Sequence, residues 1–196
     1  SIKGTGFFNT LNMKNILVYF TFLLFFLNQT NIMSQNIIYN FSDQSDISNW
    51  VIVNDDVMGG VSSCEIRLDI EGNGVFEGQI STAKNGGFSS IRFDLDKIDV
   101  KRDAYLKLRV KGDNKKFQLR IKKNKRDYHS YVYSFKTSSE WEIITIPLKN
   151  MYPSFRGRKL AMNNFNDSSF EQIAFLIGNK KNETFKLLID SIVLYD

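Results

Sequence analysis

Short stretches in which hydrophobic and polar residues alternate run along most of the chain. Alternation with a period of two is typical of β-strands that have one buried face and one solvent-facing side. Segments rich in Gly, Asn and Asp separate the stretches, as expected for turns. The pattern predicts strands at residues 37–41, 50–53, 64–70, 74–80, 88–95, 104–112, 116–123, 130–135, 141–148, 173–178 and 185–195.

The predicted strands belong to one all-β domain. They recur at a spacing of about ten residues, which is typical of β-sandwiches and barrels. The chain has 196 residues, of which 42% are hydrophobic and 14% aromatic. This is enough for a single domain with a proper hydrophobic core.

The strands predicted at residues 104–112 and 116–123 have two distinct faces. One face is apolar and holds Leu106, Leu108, Val110, Phe117, Leu119 and Ile121. The other is polar and cationic and holds Lys107, Arg109, Gln118 and Arg120. Because the connecting loop is short, we expect the two strands to pair as a hairpin, with Arg109 and Arg120 on one surface. That surface is either a solvated outer face or a binding face.

The amino-terminal segment has the layout of a secretory signal. Lys14 precedes an uncharged apolar run at residues 16–27, and a short polar stretch follows. The run is too short to span a bilayer comfortably, although a retained anchor or a buried core segment is an alternative. We expect residues 1–12 to be upstream of the true start, residues 13–35 to be a signal peptide, and residues 36–196 to form the domain. The protein would then be exported to the periplasm or the exterior of a bacterium.

Charge and reactive side chains narrow the possible functions. The formal net charge is +5, and the densest basic run, residues 122–126, is typical of a solvated turn. We therefore expect no nucleic-acid partner and only an indirect association with membranes. Cys64 and His129 are single in the chain and far apart in sequence, so neither a disulfide nor a nucleophile with its base is indicated. We expect Cys64 to be a small buried residue, and we expect no catalytic residue, metal or cofactor.

The sequence "NDDVMGG" at residues 54–60 is compatible with several kinds of site. A phosphate loop would need more glycines, a lysine and a following helix, and the next residues alternate like a strand. Asp55 and Asp56 are adjacent and point apart in an extended chain, which disfavours both a calcium loop and a glycosidase acid pair. A tight turn fits best, because Asp accepts backbone N–H bonds and Gly59 and Gly60 permit positive φ angles.

Ordered motifs along the chain resemble one known protein family. They are F-x-D-x-S-D-I-x-x-W at residues 41–50, then "DDVMGGVSS", "FEGQIS", "NGGFSSIR", "VKGDNKKFQLRI", "WEIITIPL" and "PSFRGR". In this order they resemble the complex I intermediate-associated protein 30 family, from residue 41 to the carboxyl terminus. The resemblance implies a jelly-roll β-sandwich similar to galactose-binding domains. It also implies a binding module without known catalysis, in a family that includes a mitochondrial assembly factor of respiratory complex I.

Three functions follow for consideration. The leading hypothesis is an exported, non-enzymatic domain that holds a protein partner as an assembly factor or chaperone does. The alternative is a carbohydrate-binding module, because the chain has aromatic residues that could stack on sugars, such as Tyr131, Tyr133 and Phe155, although core packing would also explain them. A hydrolase is third, because it lacks a visible nucleophile and base.

We expect a binding site where three polar motifs converge on loops. With the cationic strand face and the "PSFRGR" loop, the candidate residues are Asp55, Asp56, Met58, Gly59, Gly60, Asn85, Gly86, Gly87, Phe88, Arg109, Arg120, Phe155, Arg156 and Arg158. The alternative is structural. Arg156 or Arg158 could pair with Asp55 or Asp56 to fix the long loop.

Export can be tested by the position of the mature amino terminus. The chain turns polar after Leu27, and Ser34 is small enough to precede a cleavage site. We therefore expect amino-terminal sequencing of the protein from its native host to begin near Gln35 or Asn36. A terminus at Met13 would contradict export.

Overall fold

The computed structural model describes residues 34–196, so the predicted signal peptide, apart from its last two residues, lies outside the described part of the chain. The described residues form thirteen strands and four short 3-10 turns. The strands are β1 (Gln35–Asn40), β2 (Trp50–Asn54), β3 (Ser63–Leu68), β4 (Gly74–Ile80), β5 (Ser89–Asp99), β6 (Tyr105–Lys111), β7 (Lys116–Lys122), β8 (Ser130–Lys136), β9 (Glu142–Pro147), β10 (Tyr152–Phe155), β11 (Arg158–Lys159), β12 (Ser169–Ile177) and β13 (Glu183–Tyr195).

The strands build two antiparallel sheets that pack face to face, which confirms the predicted β-sandwich. The six-stranded sheet has the order β3-β4-β13-β6-β9, with β1 also paired to β13. The seven-stranded sheet has the order β11-β10-β8-β7-β12-β5-β2. Each sheet sends alternate side chains into the shared core and the others outward.

Aromatic side chains join the two sheets across the core. Phe76 of β4 and Phe185 of β13 meet edge to face at 4.8 Å between ring centroids. Phe117 of β7 approaches Phe185 from the other sheet at 6.2 Å. Phe76 and Phe117 are fully buried, so they contribute large areas of apolar surface removed from water.

The predicted hairpin of residues 104–112 and 116–123 is wrong, although the faces of both strands are as predicted. β6 pairs with β13 and β9 in one sheet, whereas β7 pairs with β12 and β8 in the other. The loop at residues 112–115 therefore crosses between the sheets. Alternation shows that one face of a strand is buried. It does not show which of the two sheets contains the strand, because both sheets bury one face in the same core.

A second crossing loop, between β8 and β9, fixes the first one. The Gly112 N–H donates to Ser138 O at 2.9 Å, and Thr137 N–H donates to Lys115 O at 3.0 Å. A Cβ on Gly112 would lie 2.1 Å from Thr137 Oγ1, so this position requires glycine. The two loops thus cross side by side and satisfy each other's backbone groups.

The sequence pattern missed β10 and β11, which form a small hairpin where a loop was expected. Phe155 faces Arg158 in the register, and the turn residues Arg156 and Gly157 have φ angles of 47° and 75°. Positive φ at both central residues is the signature of a type I′ turn. Pro153 inside β10 hid the strand, because proline is unusual in sheet interiors.

Truncating Phe76 should measure the contribution of the joined aromatic core. We expect Phe76→Ala to lower the free energy of unfolding by about 3 to 5 kcal/mol, through lost burial and the cavity left against Phe185. Ile70→Ala is the control, because Ile70 is fully exposed, and it should change stability by less than about 0.5 kcal/mol. Equal effects of the two variants in denaturant titrations would contradict this packing.

Candidate functional site

Asp55 is a buried acceptor at the start of the "NDDVMGG" turn. The turn is a 3-10 segment, Asp55–Met58, that directly follows β2. The side chain is 1% exposed. Its Oδ1 accepts from Ser62 N at 3.0 Å, and its Oδ2 accepts from Ser62 Oγ and from Gly87 N at 2.5 and 2.6 Å. Phe88 N also donates to Oδ2, at 3.3 Å.

These hydrogen bonds decide the ionisation of Asp55. Burial raises the pKa of the carboxyl group, but the donors on Ser62, Gly87 and Phe88 outweigh burial and hold the pKa below its usual value. The carboxylate is therefore ionised at neutral pH and fully engaged. It joins the turn after β2 to the loop before β5, and so it has a structural role.

Two glycines in this cluster make room for the carboxylate. A Cβ on Gly60 would lie 2.2 Å from Asp55 Oδ1, and one on Gly86 would lie 2.5 Å from Oδ2. Of the two glycines expected to permit a positive φ, Gly59 has one, at 85°, and Gly60 does not. Gly87, in the loop before β5, has a φ of 133°.

The other candidates of the first two motifs surround this cluster. Asp56 and Asn85 are exposed, and Asn85 has a φ of 62° in the loop before β5. Met58 ends the 3-10 turn, and its side chain lies outside the described part of the structure. The structure thus brings together "NDDVMGG" and "NGGF" at one end of the sandwich, as predicted.

The third motif does not join them. Arg156 and Arg158 lie in the β10–β11 hairpin, at the opposite edge of the seven-stranded sheet from β2. Five interstrand spacings separate β10 from β2, which is about 24 Å. Because Asp55 is occupied by Ser62 and backbone donors, the proposed pairing of Arg156 or Arg158 with Asp55 is also wrong.

An exposed aromatic cluster lies on the hairpin instead. The rings of Phe155 and Tyr128 meet edge to face at 5.3 Å, and the Arg156 guanidinium lies 5.3 Å from the Phe155 ring centroid. Tyr128 Oη lies 3.9 Å from Met162 Sδ. We call Tyr128, Phe155, Arg156 and Met162 the hairpin cluster. Tyr128 and Met162 could not be recognised from the sequence, because three separate segments meet only through the pairing of β8 with β10.

The two arginines expected on one face lie on opposite outer faces of the sandwich. Arg109 of β6 forms an ion pair with Asp190 at 2.9 Å, and its guanidinium lies 4.6 Å from the Trp141 ring centroid. Arg120 of β7 donates to Gln118 Oε1 from Nε and Nη2, at 3.0 and 2.8 Å. Arg109 is therefore balanced by an acid, whereas Arg120 has a neutral partner.

Cys64 and His129 contact different groups in the fold. Cys64 is half-buried, and its Sγ lies 3.1 Å from Asn54 Oδ1. Burial raises the pKa of the Cys64 thiol to about 11, so the nucleophilic thiolate is not formed at neutral pH. His129 packs against the rings of Tyr128 and Tyr131.

Residues 34–196 present neither a cluster of metal ligands nor a membrane-spanning helix. Within this range, no group of three or more His, Cys, Asp or Glu side chains could hold a metal ion. The same residues contain no helix with the length and apolar character needed to cross a membrane.

Sequence comparison identifies a family and one curated relative. The family model described as Complex I intermediate-associated protein 30 (CIA30) matches residues 39–189. A Drosophila melanogaster protein, "Complex I intermediate-associated protein 30, mitochondrial", is 22% identical over 145 residues. The match covers 63% of this chain and 49% of the relative, so the chain spans about half the length of that relative.

Structure comparison gives similar folds at low sequence identity. The family 11 carbohydrate-binding module from Clostridium thermocellum, solved with a β-1,3-1,4-mixed-linked tetrasaccharide, superposes with a TM-score of 0.59 at 18% identity. The superposition covers 84% of this chain and 96% of the module. An agarase, AgWH50C, superposes with a TM-score of 0.56 at 12% identity. This superposition covers 83% of this chain and 24% of the enzyme. These similarities confirm the jelly-roll fold.

Replacing Asp55 by Asn should test the buried carboxylate. Asn has one acceptor oxygen in place of two. Its amide nitrogen is itself a donor and would face the N–H or O–H donors that the carboxylate now accepts from. We expect a loss of about 1 to 3 kcal/mol in the free energy of unfolding at pH 7. Asp56→Asn should cost less, because Asp56 is exposed.

The pH dependence gives a second readout of the same variant. A carboxyl group with a lowered folded-state pKa stabilises the fold above its unfolded pKa of about 4, and this contribution disappears as the pH falls through the folded-state pKa. The difference between wild type and Asp55→Asn should therefore shrink in acid below about pH 4. A difference that is absent at pH 7 would contradict the structural role of Asp55.

Proposed function

Because the chain belongs to the complex I intermediate-associated protein 30 family, we propose that it is a binding domain without catalysis that holds a protein partner. The name of the Drosophila relative associates that protein with complex I intermediates, and an assembly-factor or chaperone role here is the corresponding proposal. The reactive side chains support a function without catalysis, because the Cys64 thiol is protonated and contacts Asn54, whereas His129 packs against Tyr128 and Tyr131.

The hairpin cluster is the observation that carries the proposal. The exposed fractions of Tyr128, Met162 and Phe155 are 61%, 43% and 37%. Aromatic residues, Met and Arg are enriched at the centres of protein interfaces, where they act as anchors. Here these residue types lie together at one edge of the seven-stranded sheet.

A series of ring contacts connects the hairpin cluster to buried aromatic side chains. Tyr128 contacts the His129 ring at 4.9 Å, and His129 meets Tyr131 edge to face at 5.3 Å. Tyr131 in turn packs against Phe165, with 5.2 Å between centroids, and both are buried. Anchors that are held in place before binding lose less conformational freedom when a partner docks.

Export is part of the same proposal. The order of Lys14, the apolar run at residues 16–27 and the polar stretch supports secretion. The partner we propose is therefore a protein of the periplasm or the cell exterior.

The test of this function removes both aromatic anchors. We expect Tyr128→Ala/Phe155→Ala to remain folded, because both side chains are exposed. In crosslinked pull-downs from the native host, wild type should recover a specific protein that the double variant loses. Ile70→Ala is the matched control, because it removes an exposed hydrophobic side chain outside the cluster and should retain the partner. Recovery of the same proteins by wild type and the double variant would refute the hairpin cluster as the partner surface.

A further inference from the structure

Two arginines face each other across a small residue on the outer face of the seven-stranded sheet. Ala174 of β12 lies opposite Arg120 of β7 on one side and opposite Arg92 of β5 on the other. Residues opposite one another in antiparallel strands project from the same face. Two interstrand spacings separate Arg92 from Arg120, which is about 10 Å. Ala174 is 5% exposed and forms a low floor between the two long side chains.

This row of residues continues across the sheet toward β10. Arg120 lies opposite Val132 of β8, which lies opposite Tyr152 of β10. Tyr152 is half-buried, and Lys159 Nζ lies 5.6 Å from its ring centroid. The surface therefore combines arginines with an aromatic ring at one end. We call Arg92, Ala174, Arg120, Val132 and Tyr152 the sheet row.

Polar side chains border the sheet row on both sides. Gln118 holds the Arg120 guanidinium from one side. On the other side, Gln172 of β12 lies opposite Lys122 and donates to Asp94 Oδ1 at 2.7 Å. Lys122 Nζ donates to the backbone oxygen of Asp127 at 2.7 Å. Lys122 is thus a third cation on this face, two residues along β7 from Arg120.

The three cations form no ion pair with any acid of residues 34–196. In this range no carboxylate oxygen lies within 4.0 Å of a charged nitrogen of Arg92, Arg120 or Lys122. Burial and, to a smaller extent, the charge on Arg92 lower the pKa of Arg120 to about 10, against a raising effect of Tyr152. Burial also lowers the pKa of Arg92, against a raising effect of Asp94.

Arg120, with a pKa of about 10, stays protonated at neutral pH, so the sheet row holds positive charge that is only partly hydrated. An anion bound there would relieve the repulsion between Arg92 and Arg120. Arginine suits this role, because its planar fork pairs with carboxylate and sulfate oxygens in a bidentate manner.

We propose that the sheet row binds an acidic polysaccharide, with Arg92 and Arg120 each receiving a carboxylate or sulfate group. The distance between the two arginines is comparable with the length of two linked sugar rings, so successive anionic groups of one chain can reach both. Tyr152 offers a ring face for stacking, and Gln118 and Gln172 offer amide groups to hydroxyls. This function is separate from the hairpin cluster and gives a specific form to the carbohydrate-binding alternative.

The apolar side chains favour a glycan over an acidic protein segment. Val132, Ala174 and Leu176 are buried on this face and lie outside the core cluster. The pairing of β2 with β5 places Val51 opposite Arg92 and so extends the row by one residue. Among the described residues of this extended row, Val51 is the one large hydrophobic side chain that is exposed. Protein interfaces need a central cluster of apolar anchors, whereas polar groups with one aromatic ring are suited to a sugar.

Calorimetric titration of the full chain with defined oligosaccharides tests the proposal. The probes are an oligogalacturonate, which carries carboxylates, and a sulfated carrageenan oligosaccharide. We expect at least one of them to bind, with an affinity that falls as salt is added. The probe that binds assigns the anionic group. Binding by neither would overturn the proposal.

Substitutions in the row provide the specific readout. Arg92→Gln and Arg120→Gln should each weaken binding by about tenfold or more, as expected for the loss of one charge-assisted bidentate contact. Arg120→Lys keeps the charge without the fork and should give an intermediate affinity. Arg102→Gln is the control, because it removes the charge of an exposed arginine outside the row, and binding should be unchanged. Each variant should remain folded, because the substitutions remove repelling charges from a partly buried face. Unfolding midpoints check this.

Two further probes separate the proposal from its rivals. Equal binding of a neutral mixed-linked glucan tetrasaccharide, unaffected by Arg92→Gln and Arg120→Gln, would overturn an anion-specific site. Equally tight binding of polyglutamate at the same arginines would overturn a glycan and indicate an acidic protein segment. Tyr128→Ala/Phe155→Ala should leave glycan binding intact, so failure here is distinguishable from failure of the protein-partner function.

Discussion

The burial of β12 on both of its faces is the constraint on which the seven-stranded sheet depends. Ile173, Phe175 and Ile177 face the core, while Ala174 and Leu176 on the other side are also less than a tenth exposed. A central strand with this character needs short or apolar residues on both sides. At Ala174 the long polar side chains come instead from the neighbouring strands, so Arg92 and Arg120 border a low floor.

The hydrophobic alternation predicted the elements well and their arrangement less well. It placed most strands and both faces of β6 and β7, because burial of alternate residues is a local property of the sequence. It did not show that β6 and β7 lie in opposite sheets. That choice depends on the joint crossing of two loops, which Gly112 and Thr137 stabilise through contacts between distant segments.

The site shows the same division between local and distant information. A turn with an acceptor Asp and permissive glycines could be inferred from "NDDVMGG" itself. The reason for Gly60 could not, because it depends on the position of the Asp55 carboxylate, which donors from Ser62 and Gly87 fix. Likewise Phe155 was a candidate from sequence, but Tyr128 and Met162 approach it only after β8 and β10 pair.

The two outer faces of the sandwich differ in how their cations are neutralised. On the six-stranded sheet, Arg67 and Lys186 share Glu77, and Arg109 pairs with Asp190. On the seven-stranded sheet, Arg92 and Arg120 have no such acid among the described residues. An anion can therefore reach guanidinium groups on the seven-stranded sheet directly, whereas on the six-stranded sheet it would first have to displace a carboxylate from Arg67 or Arg109. Binding at Arg92 and Arg120 breaks no ion pair of the described residues, which lowers its cost compared with binding at the opposite face.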